Sequence, residues 1–196
     1  MAVCFSKPPE GHSPDDFNVV DDLARHDVNN LKKSDKHVNK LNDEIDALKS
    51  EAFYFIRSLD DNSVEASRFY LQVLGYLQDI SQSISYITKA SYKHVNNNHK
   101  NLKRSQIKEL KSIDNQLSDF LSKVSDIFKN RDYGEIGQLV YEKQTLLNEV
   151  RDNIEAQITR IRTEESSPKN TTLFFGNLLE TKDLIKAVMS LLELYQ

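Results

Sequence analysis

The chain has little that bends or breaks a backbone. Its 196 residues include 5 glycines and 4 prolines. Glycine supplies the left-handed backbone of tight turns and proline ends helices, so their scarcity favours long helices over a turn-rich sheet. Tryptophan is absent and Cys4 is the sole cysteine. No internal disulfide can form, which is consistent with a reducing compartment. No apolar run approaches the roughly 20 residues needed to span a bilayer. The opening stretch, MAVCFSKPPEGHSPDD, lacks the basic and apolar regions of a secretion signal. The expectation is a soluble, cytoplasmic chain, a description that also suits the soluble part of a membrane protein.

Chemical signatures are equally scarce. The sequence holds no glycine-rich phosphate loop and no GxSxG, HExxH or CxxC motif. A ferritin-like metalloenzyme would want Glu-x-x-His pairs on facing helices, and none is present. The expectation is therefore that the chain is not an enzyme and needs no cofactor, beyond a weak divalent metal. With a net charge of −4, tight sequence-independent binding of nucleic acid is not expected.

What the sequence does have is periodicity. Hydrophobic residues make up 38% and charged residues 29% of the chain, the balance of amphipathic helices with wide solvated faces. Ala66, Tyr70, Val73, Leu77, Ile80, Ile84, Ile87 and Ser91 recur in steps of four and three, which lays one stripe along a long helix. Leu77 and Ile84 are expected in the core. Upstream, Leu31, Val38, Leu41, Ile45, Leu48, Ala52, Phe55 and Leu59 form a second stripe, with Ser34 as its weak position. This first helix is expected to run from Asp15 or Asp16 to about Ser58. Asp60 to Ser63 make the turn, with Asn62 or Ser63 capping the next helix.

A third helix, capped by Ser105, carries Leu110, Ile113, Leu117, Phe120, Val124 and Ile127, and Asn130 to Gly134 break it. A fourth carries Ile136, Leu139, Val140, Leu147, Val150, Ile154, Ile158 and Ile161. The stretch TEESSPKNTT reads as a loop, although Ser167 before Pro168 resembles a helix cap followed by proline at the first helical position. The fifth helix, from Leu173 to Leu194, is apolar on more than one face, so it is either central or covered by another subunit. The expected fold is all-α. Residues 1–15 form a disordered leader, and residues 16–196 form a bundle of five to six long antiparallel helices.

Three polar groupings are candidate sites. His94, Asn96, Asn97, Asn98 and His99 end the second helix; imidazoles suit metals, and amides suit phosphate or backbone carbonyls. The simpler account is a polar helix end with His94 continuing the packing stripe. Glu180 and Asp183 share a helix face and are a candidate weak metal site, or a solvated acidic face beside Lys182 and Lys186. Arg160, Arg162 and Lys169 surround the serine- and threonine-rich loop, a candidate anion site.

Two polar runs carry a family resemblance. One is Tyr92-Lys93-His94-Val95-Asn96-Asn97-Asn98-His99, with Ser63 to Ser67, Tyr70 and Leu77-Gln78-Asp79 before it. The other is Arg162 to Leu173, followed by Leu179-Glu180-Thr181-Lys182-Asp183. Together they resemble the PhoU-like cytoplasmic region of bacterial inorganic phosphate transporters of the Pit or sodium–phosphate type, as in Bacteroidetes. The resemblance implies a PhoU-like helical bundle, regulation of phosphate uptake, and the membrane part of a transporter as partner. It also implies a place in the cytoplasm, tethered to the inner membrane through a transporter domain outside this chain. PhoU proteins carry acidic Glu/Asp-x-x-x-Asp motifs. Here Gln78-Asp79-Ile80-Ser81-Gln82 has glutamines in place of carboxylates, and Glu180 stands one position out of phase. A carboxylate-rich metal cluster is therefore not expected. The rival expectation is a helical scaffold or adaptor with no ligand.

Overall fold

The computed structural model describes residues 18–58, 64–163 and 167–196. Six helices account for most of them: α1 (Val19–Arg25), α2 (Val28–Arg57), α3 (Val64–Asn96), α4 (Arg104–Asn130), α5 (Ile136–Thr163) and α6 (Pro168–Glu193). A short 3-10 turn, Tyr133–Glu135, leads into α5. No strand is present among the described residues. The fold is an all-α bundle, as the periodicity predicts. The expected leader and the turn at residues 60–63 lie outside the described residues.

The helices run up and down between two ends. The α2 N-terminus, the α3–α4 connection and the α5–α6 connection share a polar end. At the aromatic end, Tyr195 stacks on Tyr133 with ring centroids 5.1 Å apart, and the edges of Phe69 and Phe128 pack against it. α6 is the central element. It packs most extensively on α3, then on α5; α2 flanks α3, α4 flanks α5, and α1 bridges α2, α3 and α4. The wide apolar surface of α6 follows from this position: Phe174, Leu178, Leu184, Ile185, Val188, Met189 and Leu192 are all fully buried.

The face that α3 brings to this core is unusual. Ile80, Ile84 and Ile87 are interleaved with Ser81, Ser83, Ser85, Thr88 and Ser91, and all of them are buried. Several hydroxyls are accommodated locally. Ser81 donates to the Gln78 carbonyl at 3.0 Å, Thr88 donates to the Ile84 carbonyl at 2.8 Å, and Ser85 accepts from Asn42 of α2 at 3.3 Å. Small side chains on both faces allow α2 and α6 to pack closely against the same helix. On α6, Gly176 serves the same end, because a Cβ there would lie 2.9 Å from the Tyr86 ring.

Several helix boundaries and stripes differ from expectation. The single first helix is two. His26 takes left-handed backbone (φ 58°), and the His26 and Asp27 N–H groups donate back to Leu23 and Asp22, closing α1. Asp27 then caps α2, its carboxylate accepting from the Asn29 and Asn30 N–H groups at 3.0 Å. Asp and His are among the residues that tolerate such turns, so the break carries no glycine or proline signal. The cap of α4 is Lys103 rather than Ser105; Gln106 reaches back to accept from the Lys103 N–H at 2.9 Å. Residues 168–172 are the first turns of α6 rather than loop, with Ser167 at the cap and Pro168 at the first position.

The stripes are buried over only part of their length. On α2, Leu31, Ser34, Val38 and Ile45 are buried, but Leu48, Phe53, Tyr54 and Phe55 are exposed. The reason is α1. α1 packs on α2, and its Val19, Val20 and Leu23 are buried against α3, α4 and α6 only near the polar end. Below them a groove of about 390 Å³ remains, lined by Leu41, Ile45, Leu48, Leu77, Ile80 and Phe128 among others. Leu77 is accordingly half-buried rather than core, and Tyr70 and Ala66 are exposed. On α5, Val140, Ile158 and Ile161 face outward, while Gln157 is fully buried.

Truncation costs should follow this gradient. Ile84→Ala should destabilise by about 2–5 kcal/mol, Leu77→Ala by roughly 1 kcal/mol because part of its surface is already wet, and Leu48→Ala by less than about 0.5 kcal/mol. Urea unfolding of the three variants checks the order.

Candidate functional site

The site at the polar end is built from four of its helix termini, those of α3, α4, α5 and α6. α3 closes with Asn98 in left-handed backbone (φ 53°), its N–H donating to the Val95 carbonyl at 2.9 Å while the His99 N–H donates to the His94 carbonyl at 3.2 Å. This paired closure is a Schellman motif, which favours contact between the residue after the turn and one in the last helical turn. Here that contact joins two imidazoles, with His94 and His99 ring centroids 5.2 Å apart. His94 is buried, and its Nε2 lies 2.9 Å from the Lys100 carbonyl, so Nε2 carries the proton and donates. Asparagine tolerates left-handed backbone better than most residues, so Asn98 has a structural task in the asparagine run.

Below the surface a buried amide network ties α4, α5 and α6 together. Gln157 is its hub. Its Oε1 accepts from Gln106 Nε2 at 3.1 Å and from Arg160 at 2.7 Å, and its Nε2 reaches Thr171 at 3.4 Å. Arg160 also pairs with Glu109 and lies 5.6 Å from the centre of the Phe174 ring. Asn170, on the first turn of α6, donates from Nδ2 to the Asn101 carbonyl at 2.8 Å and so fastens the α3–α4 connection to α6.

Above this network lies a groove of about 640 Å³. One wall is Asn98, His99, Lys100, Asn101 and Lys103; the other is Ser167, Pro168, Lys169 and Asn170. Among the described residues, three lysines and no carboxylate line it. The groove therefore joins members of two separate candidate groupings, Asn98 and His99 from one and Lys169 from the other.

Other candidates are not brought there. His94 is a packing and capping residue beneath the groove. Asn96 and Asn97 are exposed and outside the lining. Arg160 is committed to Glu109 and Gln157, and Arg162 is exposed on α5, so the expected anion loop reduces to Lys169. Glu180 and Asp183 line a different groove, of about 570 Å³, together with Asp79 of α3 and Lys186. Among the described residues no group of three His, Cys, Asp or Glu side chains is placed to hold a metal ion.

Sequence reasoning missed Lys100, Asn101, Lys103 and Asn170 as groove residues, and Gln106 and Gln157 as its support. For Asn170 the Ser167-Pro168 helix start was the available signal, since it places residue 170 on a first helical turn. The buried glutamines left none, because glutamine is ordinarily a surface residue of helices.

No family model matches the chain, and comparison with curated proteins and with solved structures yields no match either. No helix among the described residues is long and apolar enough to cross a membrane.

Two measurements test the site's construction. Gln157→Leu leaves the Gln106 amide and Arg160 without their buried acceptor and should cost about 1–3 kcal/mol, read by urea unfolding. Burial holds the His94 imidazole below its ordinary value of 6.5, with His99 and His26 adding to the effect. The unfolded chain therefore takes up this proton at a higher pH than the folded one. Stability from this group is complete above about pH 6.5 and falls as pH drops below it. Unfolding free energies measured between pH 7.5 and 5 should show that fall, flattened in His94→Gln.

Proposed function

We propose that this protein is a non-catalytic, PhoU-like regulatory module of an inorganic phosphate transporter, adjusting phosphate uptake from the cytoplasmic side of the inner membrane. Its partner in this reading is the membrane part of the transporter, to which it is tethered. One observation carries the proposal. The polar runs behind the resemblance, residues 92–99 and 162–173, are far apart in sequence, yet members of both line one basic groove at the polar end. A run of polar residues at a helix end is ordinary; two that meet in a groove with three lysines form a surface suited to a ligand or an anionic partner.

A scaffold or adaptor role is the second reading. It is favoured by the aromatic face of α2, where Tyr54 is 74% and Phe53 56% exposed, a patch suited to a protein partner or a second copy of the chain.

Phosphate uptake separates the two. It should be measured in cells carrying the intact gene, a deletion of residues 19–193, and a variant combining Asn97→Ala, His99→Ala and Lys169→Gln. The regulatory reading expects uptake, or its dependence on external phosphate, to change in both altered strains. Unchanged uptake in the deletion strain favours the scaffold.

A further inference from the structure

The polar-end groove sits between the N-termini of two long helices, α4 of 27 residues and α6 of 26. The first N–H groups of a helix have no partner within it, and the helix dipole adds partial positive charge there. On α6, Ser167 makes no side-chain capping bond, and the first-turn N–H groups begin at Lys169 because Pro168 has none. Lys100 and Lys169 line the same groove, and neither forms an ion pair with a described residue. Among the described residues the lining contains no carboxylate. These features select for negative charge.

Asn170 provides an independent observation. It lines the groove and is only 5% exposed. Its Nδ2 is held by the Asn101 carbonyl, which fixes the orientation of the amide and leaves Oδ1 as the second polar atom. Oδ1 has no hydrogen-bond partner. Buried acceptors are ordinarily matched by donors, so Asn170 leaves an unmet acceptor within this wall of the groove. A fully ionised oxoanion has nothing to offer it. An oxoanion that retains a proton supplies the missing O–H.

We propose that the groove between the α4 and α6 N-termini binds a tetrahedral oxoanion that carries a proton, with hydrogenphosphate as the ligand of that class. The helix N-termini, Lys100 and Lys169 take its charge, and Asn170 Oδ1 accepts its O–H. The inference deepens the regulatory reading by naming a ligand for the same groove. It is tested on the purified protein without a transporter, so its failure is distinct from failure of the uptake experiment.

The intact chain is titrated with inorganic phosphate and, separately, with sulfate at pH 7 and constant ionic strength, following backbone amides by NMR. The expected result is saturable shifts at Lys169, Asn170 and Ser105 at millimolar phosphate. Sulfate, with no proton to donate at this pH, should bind at least about tenfold more weakly. Lys100→Gln with Lys169→Gln should weaken phosphate binding by about tenfold. Asn170→Ala should remove the preference for phosphate over sulfate; if that variant does not fold, the preference of the parent protein decides alone. Absence of saturable shifts, equal affinity for sulfate and phosphate, or unchanged affinity in the double lysine variant would each overturn the proposal.

Discussion

The contact between α3 and α6 is the constraint on which the rest of the bundle depends. α6 is apolar around most of its circumference, so it is stable only when surrounded. α3 surrounds it on one side with isoleucines set among serines, a face narrow enough for α2 to pack against the same helix. α5 and α4 complete the enclosure. Among the described residues no other helix pair packs more extensively, and each remaining helix is positioned by one member of this pair or by a helix that packs on it.

The polar end depends on that arrangement. Because α3, α4, α5 and α6 alternate in direction, their connections place two helix C-termini beside two N-termini. The buried bonds from Gln157 to Gln106, Arg160 and Thr171 then lock three of these termini laterally. A buried network of this kind is favourable only when its members are satisfied together. That requirement makes the floor of the groove rigid while its rim stays wet and basic. The groove is thus a consequence of how the bundle closes.

Much of the architecture was legible in the sequence, because long helices announce themselves by spacing. The stripes of α3, α4 and α6, and the Ser167-Pro168 start, needed no tertiary information. The break at His26 was not legible. Its stop signal is a histidine in left-handed backbone, and the same conformation at Asn98 and Arg131 is also taken without glycine. The half-wet stripes of α2 and α3 were misread for another reason: a heptad pattern states which face is apolar, but not whether a neighbour is long enough to cover it. α1, with seven residues, is not. At the site, Lys169 and the His94–His99 segment were visible as candidates. Their meeting was not, because it depends on the order in which the helices alternate.

The shortness of α1 also has a consequence for dynamics. The half of α2 nearest the polar end is clamped between α1 and α3, whereas among the described residues the other half packs on α3 above an apolar groove. Local opening free energy scales with such coverage. α2 is therefore two units of different rank in one continuous helix. The segment from about Leu48 to Arg57 leaves large apolar side chains exposed, while Leu31 and Val38 are wholly enclosed, so the first has the lower expected cost of local opening. Such a helix can yield its far end to an incoming surface while the core and the polar end remain folded.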